Sequence, residues 1–477
     1  MPKKVKLEDK LTAKKESAWK GMSKTMRTKV FQYAEGYKAF IGRAKTERRA
    51  VEEIVASAEK EGFVELDSIE EVRPGARLFK VNRSKSLALF VIGRRSMAEG
   101  INIVASHIDS PRLDLKQNPL YEDADSEIAL FKTHYYGGVR KYQWVNVPLA
   151  LHGKVILGSG KEVDISIGEK DDDPVFIIPD LLPHLARKVQ NERKLPEGIK
   201  GEELNILIGH MPIEDKKVKE KIKVKVLDHL NKEYGMKEED FVSAELEAVP
   251  TGQPRDLGFD RGMVAAYGQD DRACAYGSLA AIVDLKTPAR TCLAFFFDKE
   301  EIGSEGVSGV QSRFFEIVLS ELMEKMEPGC RDMDLRRMLS RSKSLSGDVE
   351  VALHPTFKDV HEALNAARLG RGIAITKYTG ALGKARASDA SAEYVGQIRN
   401  LFNAKRIPWQ AAELGKVDEG GGGTVALFLA RHNLDVLDCG PPLLAMHSPM
   451  EVSSKADLYN TYRAYLVFFR SDLGPTA

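Results

Sequence analysis

Residues 292–306 read CLAFFFDKEEIGSEG. Cys292–Phe297 carries no polar side chain, and four charges follow at once: Asp298, Lys299, Glu300 and Glu301. A short apolar run that ends in a polar cluster reads as a buried strand. Two adjacent carboxylates at its exit need a reason. In an extended exit successive side chains point to opposite sides, so Glu300 and Glu301 are free to do different jobs.

The flanking sequence repeats the alternation. SLALFVIG (Ser86–Gly93), GINIVASHIDS (Gly100–Ser110), DVEVALHP (Asp348–Pro355) and LDVLDCG (Leu434–Gly440) read as strands. DDRACAYGSLAAIVDLK (Asp270–Lys286), GGTVALFLARH (Gly422–His432) and SSKADLYNTYRAYLVFFR (Ser453–Arg470) read as helices, and residues 17–60 read as helical with few breakers. In the last helix Leu458, Tyr462, Tyr465, Leu466 and Phe469 fall on one face, and Ser454 with Asp457 resembles a capping box. The glycine run EGGGGTVA (Glu419–Ala426) lacks the phosphate-loop pattern and reads as a tight turn with close backbone approach. Strands alternating with helices predict an α/β layered domain with a largely parallel sheet. In such sheets ligands sit beyond the carboxyl ends of the strands.

Between Leu113 and Val249 the character changes to short β-like runs (WVNVPLALHGKVIL, PVFIIPD) followed by charged helical pieces. This predicts a β-rich insertion, 113–249, in a discontinuous domain made of 1–112 and 250–477.

The bulk numbers exclude several classes. Lys plus Arg (71) balances Asp plus Glu (70), which leaves no field to draw in nucleic acid or an acidic membrane. No apolar stretch approaches the ~20 residues that span a bilayer. The four cysteines form no CxxC pair, which argues against a disulfide scaffold and a thiolate metal site. The basic opening, MPKKVKLEDKLTAKKESAWKG, lacks a signal-peptide core and reads as a solvated terminus, so a cytoplasmic protein is expected.

Five segments place metal-type ligands at element boundaries. They are His107 and Asp109 in SHIDSPRL, Asp270 and Asp271 in GQDDRAC, Glu300 and Glu301, Asp348 in SGDVEVA, and His447 in AMHSPME. Any one alone is common on a surface. Together they offer imidazole and carboxylate without thiolate, an inventory suited to Zn²⁺, Mn²⁺ or Co²⁺ in open, reactive sites. A two-metal hydrolase needs such a set: a bridging carboxylate, terminal His and acidic ligands, and one further carboxylate to take a proton from water.

At this point the chain resembles the aspartyl aminopeptidases and their vacuolar-aminopeptidase-I-like and bacterial relatives, which are dinuclear zinc exopeptidases. The resemblance runs from about residue 20 to the C-terminus. It is carried by ASHIDSPRLDLKQNPLYE, PDLLPHLARKVQ, YGQDDRACAY, FFDKEEIGSEGVSG, SGDVEVALHPTF, ARASDASAE, GGGGTVALFLA and AMHSPMEVSSKADL. It implies a three-layer α/β sandwich with a mostly parallel sheet plus an inserted dimerisation domain.

It also implies two Zn²⁺ per subunit, bridged by Asp270, with His107 and Asp348 on one and Glu301 and His447 on the other. Glu300 would be the general base, and Asp109 would orient the His107 ring. His184 would reach a neighbour's active site, and Lys384 would line the substrate side-chain pocket. Peptides would be the substrates, and dimers would build a tetrahedral dodecamer. The preferred N-terminal residue, acidic or neutral, stays open. Two other functions stay open as well: a related metal-dependent deacylase or carboxypeptidase acting on N-acyl amino acids, and a non-catalytic self-assembling scaffold.

Overall fold

A computed structural model describes residues 16–474 together with Leu7, Leu11 and Thr12; most of the basic opening run lies outside the described residues. The run Cys292–Phe297 is a strand with every residue buried. Its side chains alternate between two cores. Cys292, Ala294 and Phe296 join the cluster that holds Tyr37, Ile54, Leu279 and Tyr465. Leu293, Phe295 and Phe297 join the cluster that holds Phe315, Leu322, Leu339 and Leu429. A sheet covered on both faces favours apolar residues on both sides of a strand, which is why the run has no polar member.

That sheet has nine strands. At its centre Cys292–Phe297 runs parallel to Asn102–His107, which runs parallel to Lys343–Ser346, which runs parallel to Asp435–Gly440. Antiparallel pairs flank this centre. Helices Lys24–Arg43, Glu47–Lys60, Gln269–Val283, Ala392–Ala404 and Lys455–Phe469 cover one face, and Phe314–Met326, Asp332–Ser340 and Ala426–Ala430 the other. The expected three-layer α/β sandwich is therefore the observed one.

A six-stranded sheet, assembled entirely from strands between Arg112 and Pro250, packs around its own core of Leu113, Phe131, Trp144, Leu151, Ile206 and Phe241. A five-stranded sheet completes the fold and pairs Met263–Ala266 with Glu451–Ser454.

Several local readings differ from the structure. Residues 17–60 split into two helices, because Thr46 caps the second through its side chain and breaks the first at Ala44. The glutamate exit is not extended. Lys299 takes a left-handed backbone (φ 70°) and Glu300–Ile302 form a 3₁₀ turn. The strand near Asp348 shrinks to Glu350–Val351 and joins the small sheet. PVFIIPD contributes only isolated bridges at Phe176 and Ile177.

Ser454 starts the last helix without a side-chain cap, because Asp457 turns elsewhere and accepts the amides of Gly370 (2.6 Å) and Gly372 (2.7 Å). The glycine run does make a close approach. A Cβ on Gly421 would lie 2.0 Å from the Gly380 carbonyl oxygen.

Candidate metal centre

Parallel strands end on the same side, so their exits form one rim. Phe297 is in register with His107, and Ser346 with Ala105. His107 closes its strand, Glu300 and Glu301 follow Phe297, and Asp348 follows Ser346. A Cβ on Gly440 would lie 2.0 Å from the Asp348 carbonyl oxygen, so only glycine lets the neighbouring strand pass this close. Asp270 arrives from the start of helix Gln269–Val283, and His447 from the turn before Glu451–Ser454.

Asp270 is the hub. One carboxylate oxygen lies 3.2 Å from His107 Nε2 and the other 3.1 Å from His447 Nε2. Glu301 Oε1 lies 3.4 Å from His447 Nε2. Two groups whose ligand atoms fall within 4.8 Å of one another share Asp270: one with His107 and Asp348, the other with Glu301 and His447. A third group joins His107, Glu300 and Glu301. The five expected ligands and Glu300 thus converge on one cluster.

The electrostatics ask for a cation. Burial pushes the carboxyls of Glu301 and Asp348 well above the usual range, with neighbouring carboxylates adding to it. Burial also lifts Glu300 to about 7, while His107 opposes and Asp109 reinforces the shift. Burial opposes the charged form of Asp270 too, but its contacts with His107 and His447 hold it below the usual range. Burial works against a charged His447, yet Asp270 and Glu301 raise it to about 10. Asp270 Oδ1 and Glu301 Oε1 are buried without a hydrogen bond. Crowded carboxylates with orphaned oxygens, facing imidazole nitrogens, fit a multivalent cation ligated by oxygen and nitrogen.

Two buried carboxylates organise this centre. Asp109 meets His107 Nδ1 twice, through its backbone carbonyl at 3.1 Å and its carboxylate at 3.3 Å. It also accepts the backbone amides of Glu300 (3.1 Å) and Glu301 (3.2 Å) and the Tyr136 hydroxyl (2.8 Å). Glu451 was not singled out in the sequence. Its carboxylate accepts the amides of Gln269 (2.5 Å), Asp270 (3.1 Å) and His447 (2.8 Å), tying two ligand loops together. The only hint was its place four residues after His447. Asp298, left without a role by the sequence, accepts the Ser308 hydroxyl (2.6 Å) and pairs with Lys299 (3.3 Å), which pins the loop after the glutamates.

Two expected residues stand apart from the cluster within this chain. His184 is exposed on the short helix Pro183–Val189. Lys384 pairs with Asp389 (3.0 Å), lies over the Tyr378 ring, and lines a pocket with Glu413, Lys416 and Asp418.

A layered α/β fold with a carboxylate–imidazole cluster beyond its parallel strand ends defines a metal-dependent hydrolase. Comparison narrows the class. Residues 40–469 match the model of the aminopeptidase I zinc metalloprotease family, M18. A probable M18 family aminopeptidase 1 of Borrelia garinii subsp. bavariensis is 47% identical over 459 residues, 96% of this chain and 100% of its own. The crystal structure of an M18 aminopeptidase from Thermotoga maritima superposes with TM-score 0.92 at 44% identity, covering 96% of this chain and 99% of that one. The S. cerevisiae mApe1 dodecamer, 18% identical, shares the fold with TM-score 0.74 over 93% of this chain and 97% of its own. The chain belongs to the M18 family and is a zinc-dependent aminopeptidase.

Proposed function

We propose that the chain removes single N-terminal residues from peptides at a centre for two zinc ions bridged by Asp270. The observation that carries this reading is the shared carboxylate: Asp270 offers one oxygen to each of two ligand groups. His107 and Asp348 would hold one ion, and Glu301 and His447 the other. Zinc bound there would polarise the scissile carbonyl and lower the pKa of a water.

The protein's own residues do the rest. Glu300 takes the proton from the attacking water and returns it to the leaving amine, a task suited to a carboxyl lifted to about 7. Asp109 holds the turn that aims Glu300 and keeps the Nε2 of His107 free. His184 of a neighbouring copy stabilises the developing oxyanion. Lys384 would meet an acidic substrate side chain, for which its pairing with Asp389 must open.

The strands between Arg112 and Pro250 and the exposed side chains Leu181, Leu182 and Leu185 around His184 support an assembly surface on that unit. Dimers through it, combining into a dodecamer, would enclose the centres. Four unpaired thiols fit a reducing, cytoplasmic compartment.

The test is a panel of aminoacyl-nitroanilides and N-acetyl amino acids on zinc-reconstituted protein. Cleavage of the nitroanilides alone, lost with a chelator and restored by zinc, supports the reading. Cleavage of the N-acetyl amino acids would replace it with a deacylase.

A further inference from the structure

The second sheet enters the metal centre at one point. Strand Ile128–Tyr136 ends at Tyr136, Gly137 and Gly138 follow in a bend, and each of the three meets a different residue of the centre. The Tyr136 hydroxyl donates to Asp109 at 2.8 Å, on the oxygen that also accepts the Glu301 amide. Gly137 lies against Glu301: with its φ of +73°, a Cβ there would stand 3.2 Å from Glu301 Cβ and 3.3 Å from Oε2. The Gly138 carbonyl oxygen lies 3.1 Å from His447 Nδ1. A carbonyl can only accept, so Nδ1 carries the proton. That leaves Nε2, which faces Asp270 and Glu301, as the nitrogen available to a cation.

Tyr136 is itself held. The Arg112 guanidinium stacks 3.9 Å from the centre of its ring. Arg112 is buried and pairs with Glu247 of the second sheet (3.2 Å), with Asp114 (2.8 Å), and with Glu47 at the start of helix Glu47–Lys60 (3.4 Å). One cation therefore fixes the tyrosine to both parts of the fold.

We propose that Tyr136–Gly137–Gly138 is the positioning element by which the second sheet sets the reaction centre. Tyr136 holds the Glu300–Glu301 turn through Asp109. Gly137 leaves the room that Glu301 occupies, and Gly138 selects the nitrogen that His447 presents. This rests on the roles proposed above for Glu300, Glu301 and His447.

Tyr136→Phe and Gly137→Ala test it, with Gly160→Ala as control. Gly160 is a left-handed glycine (φ +83°) in a turn of the same sheet, and a Cβ there would meet nothing within 4 Å. Removing partners of this kind costs 10–100-fold in activity or metal affinity. Tyr136→Phe should lose about 10- to 100-fold in kcat with KM and zinc content unchanged. Combined with Asp109→Asn it should cost less than the product of the two single losses. Gly137→Ala should weaken zinc binding, read by titration without any substrate. Gly160→Ala should lower only the melting temperature.

Wild-type kcat in Tyr136→Phe, or losses that multiply with Asp109→Asn, would overturn the role of Tyr136. Unchanged zinc affinity in Gly137→Ala would overturn that of Gly137. A wild-type protein that cleaves no aminoacyl-nitroanilide would remove the aminopeptidase mechanism, and the zinc titration would still decide the positioning claim.

Discussion

The Asp109 carboxylate accepts the backbone amide of Glu300 at 3.1 Å. It grips the main chain of the proposed base and leaves the Glu300 side chain free to move a proton. The 3₁₀ turn behind this contact gives Glu300 and Glu301 different surroundings. Glu301 turns to His447 Nε2 at 3.4 Å, while Glu300 stands with His107 and Glu301 in the third ligand group.

Glu300→Gln keeps the shape of the turn and removes the base. A positioned general base contributes about 10²–10⁴-fold. Turnover should fall by that factor while zinc content, measured by elemental analysis, stays at the wild-type level. Activity within tenfold of wild type would move the base elsewhere.

Asp270→Asn should behave differently. Asp270 is the one carboxylate common to both ligand groups, and an amide nitrogen cannot ligate where its oxygen did. Zinc content should drop at both positions, and activity should vanish with it. A variant that keeps full zinc would show that Asp270 does not bridge.

Much of this centre was legible in the sequence because its parts sit at strand exits. CLAFFF is apolar because its strand is buried on both faces, and it delivers Glu300 and Glu301 where the chain leaves the sheet. His107 and Asp348 follow the same rule on neighbouring strands. Glu451 and Tyr136 were not legible. Tyr136 reaches Asp109 from another strand 27 residues on, and Glu451 reaches Asp270 across 181 residues, brought there only by the folded register of Ala266 with Glu451. Asp457 misled for a related reason. Its spacing from Ser454 suits a cap, but the amides of Gly370 and Gly372 offer it two donors. The extended glutamate exit failed because local spacing cannot reveal a left-handed Lys299.

Glu451→Gln should separate positioning from ligation. One oxygen of Glu451 accepts the His447 amide, and the other accepts those of Gln269 and Asp270. A glutamine places an NH₂ against at least one N–H donor. Zinc affinity should fall about 10- to 100-fold, with activity recovering at high zinc. Loss of activity that excess zinc does not rescue would mean that the loops themselves had come apart.

Asp438 predicts a pH effect on stability. It is buried in strand Asp435–Gly440 with one oxygen lacking a hydrogen bond, and burial lifts its carboxyl to about 6. The folded state therefore holds this proton more tightly than the unfolded chain, whose aspartate titrates near 3.9. The contribution is full below about pH 4 and is lost as the pH rises through about 6. Asp438→Asn cannot ionise, so relative to wild type it should gain stability across that window, by up to roughly 3 kcal/mol. Urea unfolding of chelator-treated proteins at several pH values measures the difference. A difference that does not change with pH would assign the effect to another group.

His184 is exposed, and Leu181, Leu182 and Leu185 beside it are exposed as well. An apolar patch around a histidine that stands apart from its own chain's metal cluster is what a residue acting in a neighbour's site would show. His184→Ala should keep its zinc and lose turnover. Mixing makes the test specific. Glu300→Gln copies lack the base but carry His184, and His184→Ala copies lack the histidine but carry Glu300. Each alone should be nearly inactive. Unfolded and refolded together, they should form mixed assemblies in which a Glu300→Gln copy lends His184 to an intact base, and activity should return. If the mixture stays as inactive as its parts while size-exclusion chromatography shows mixed oligomers, His184 does not act across the interface.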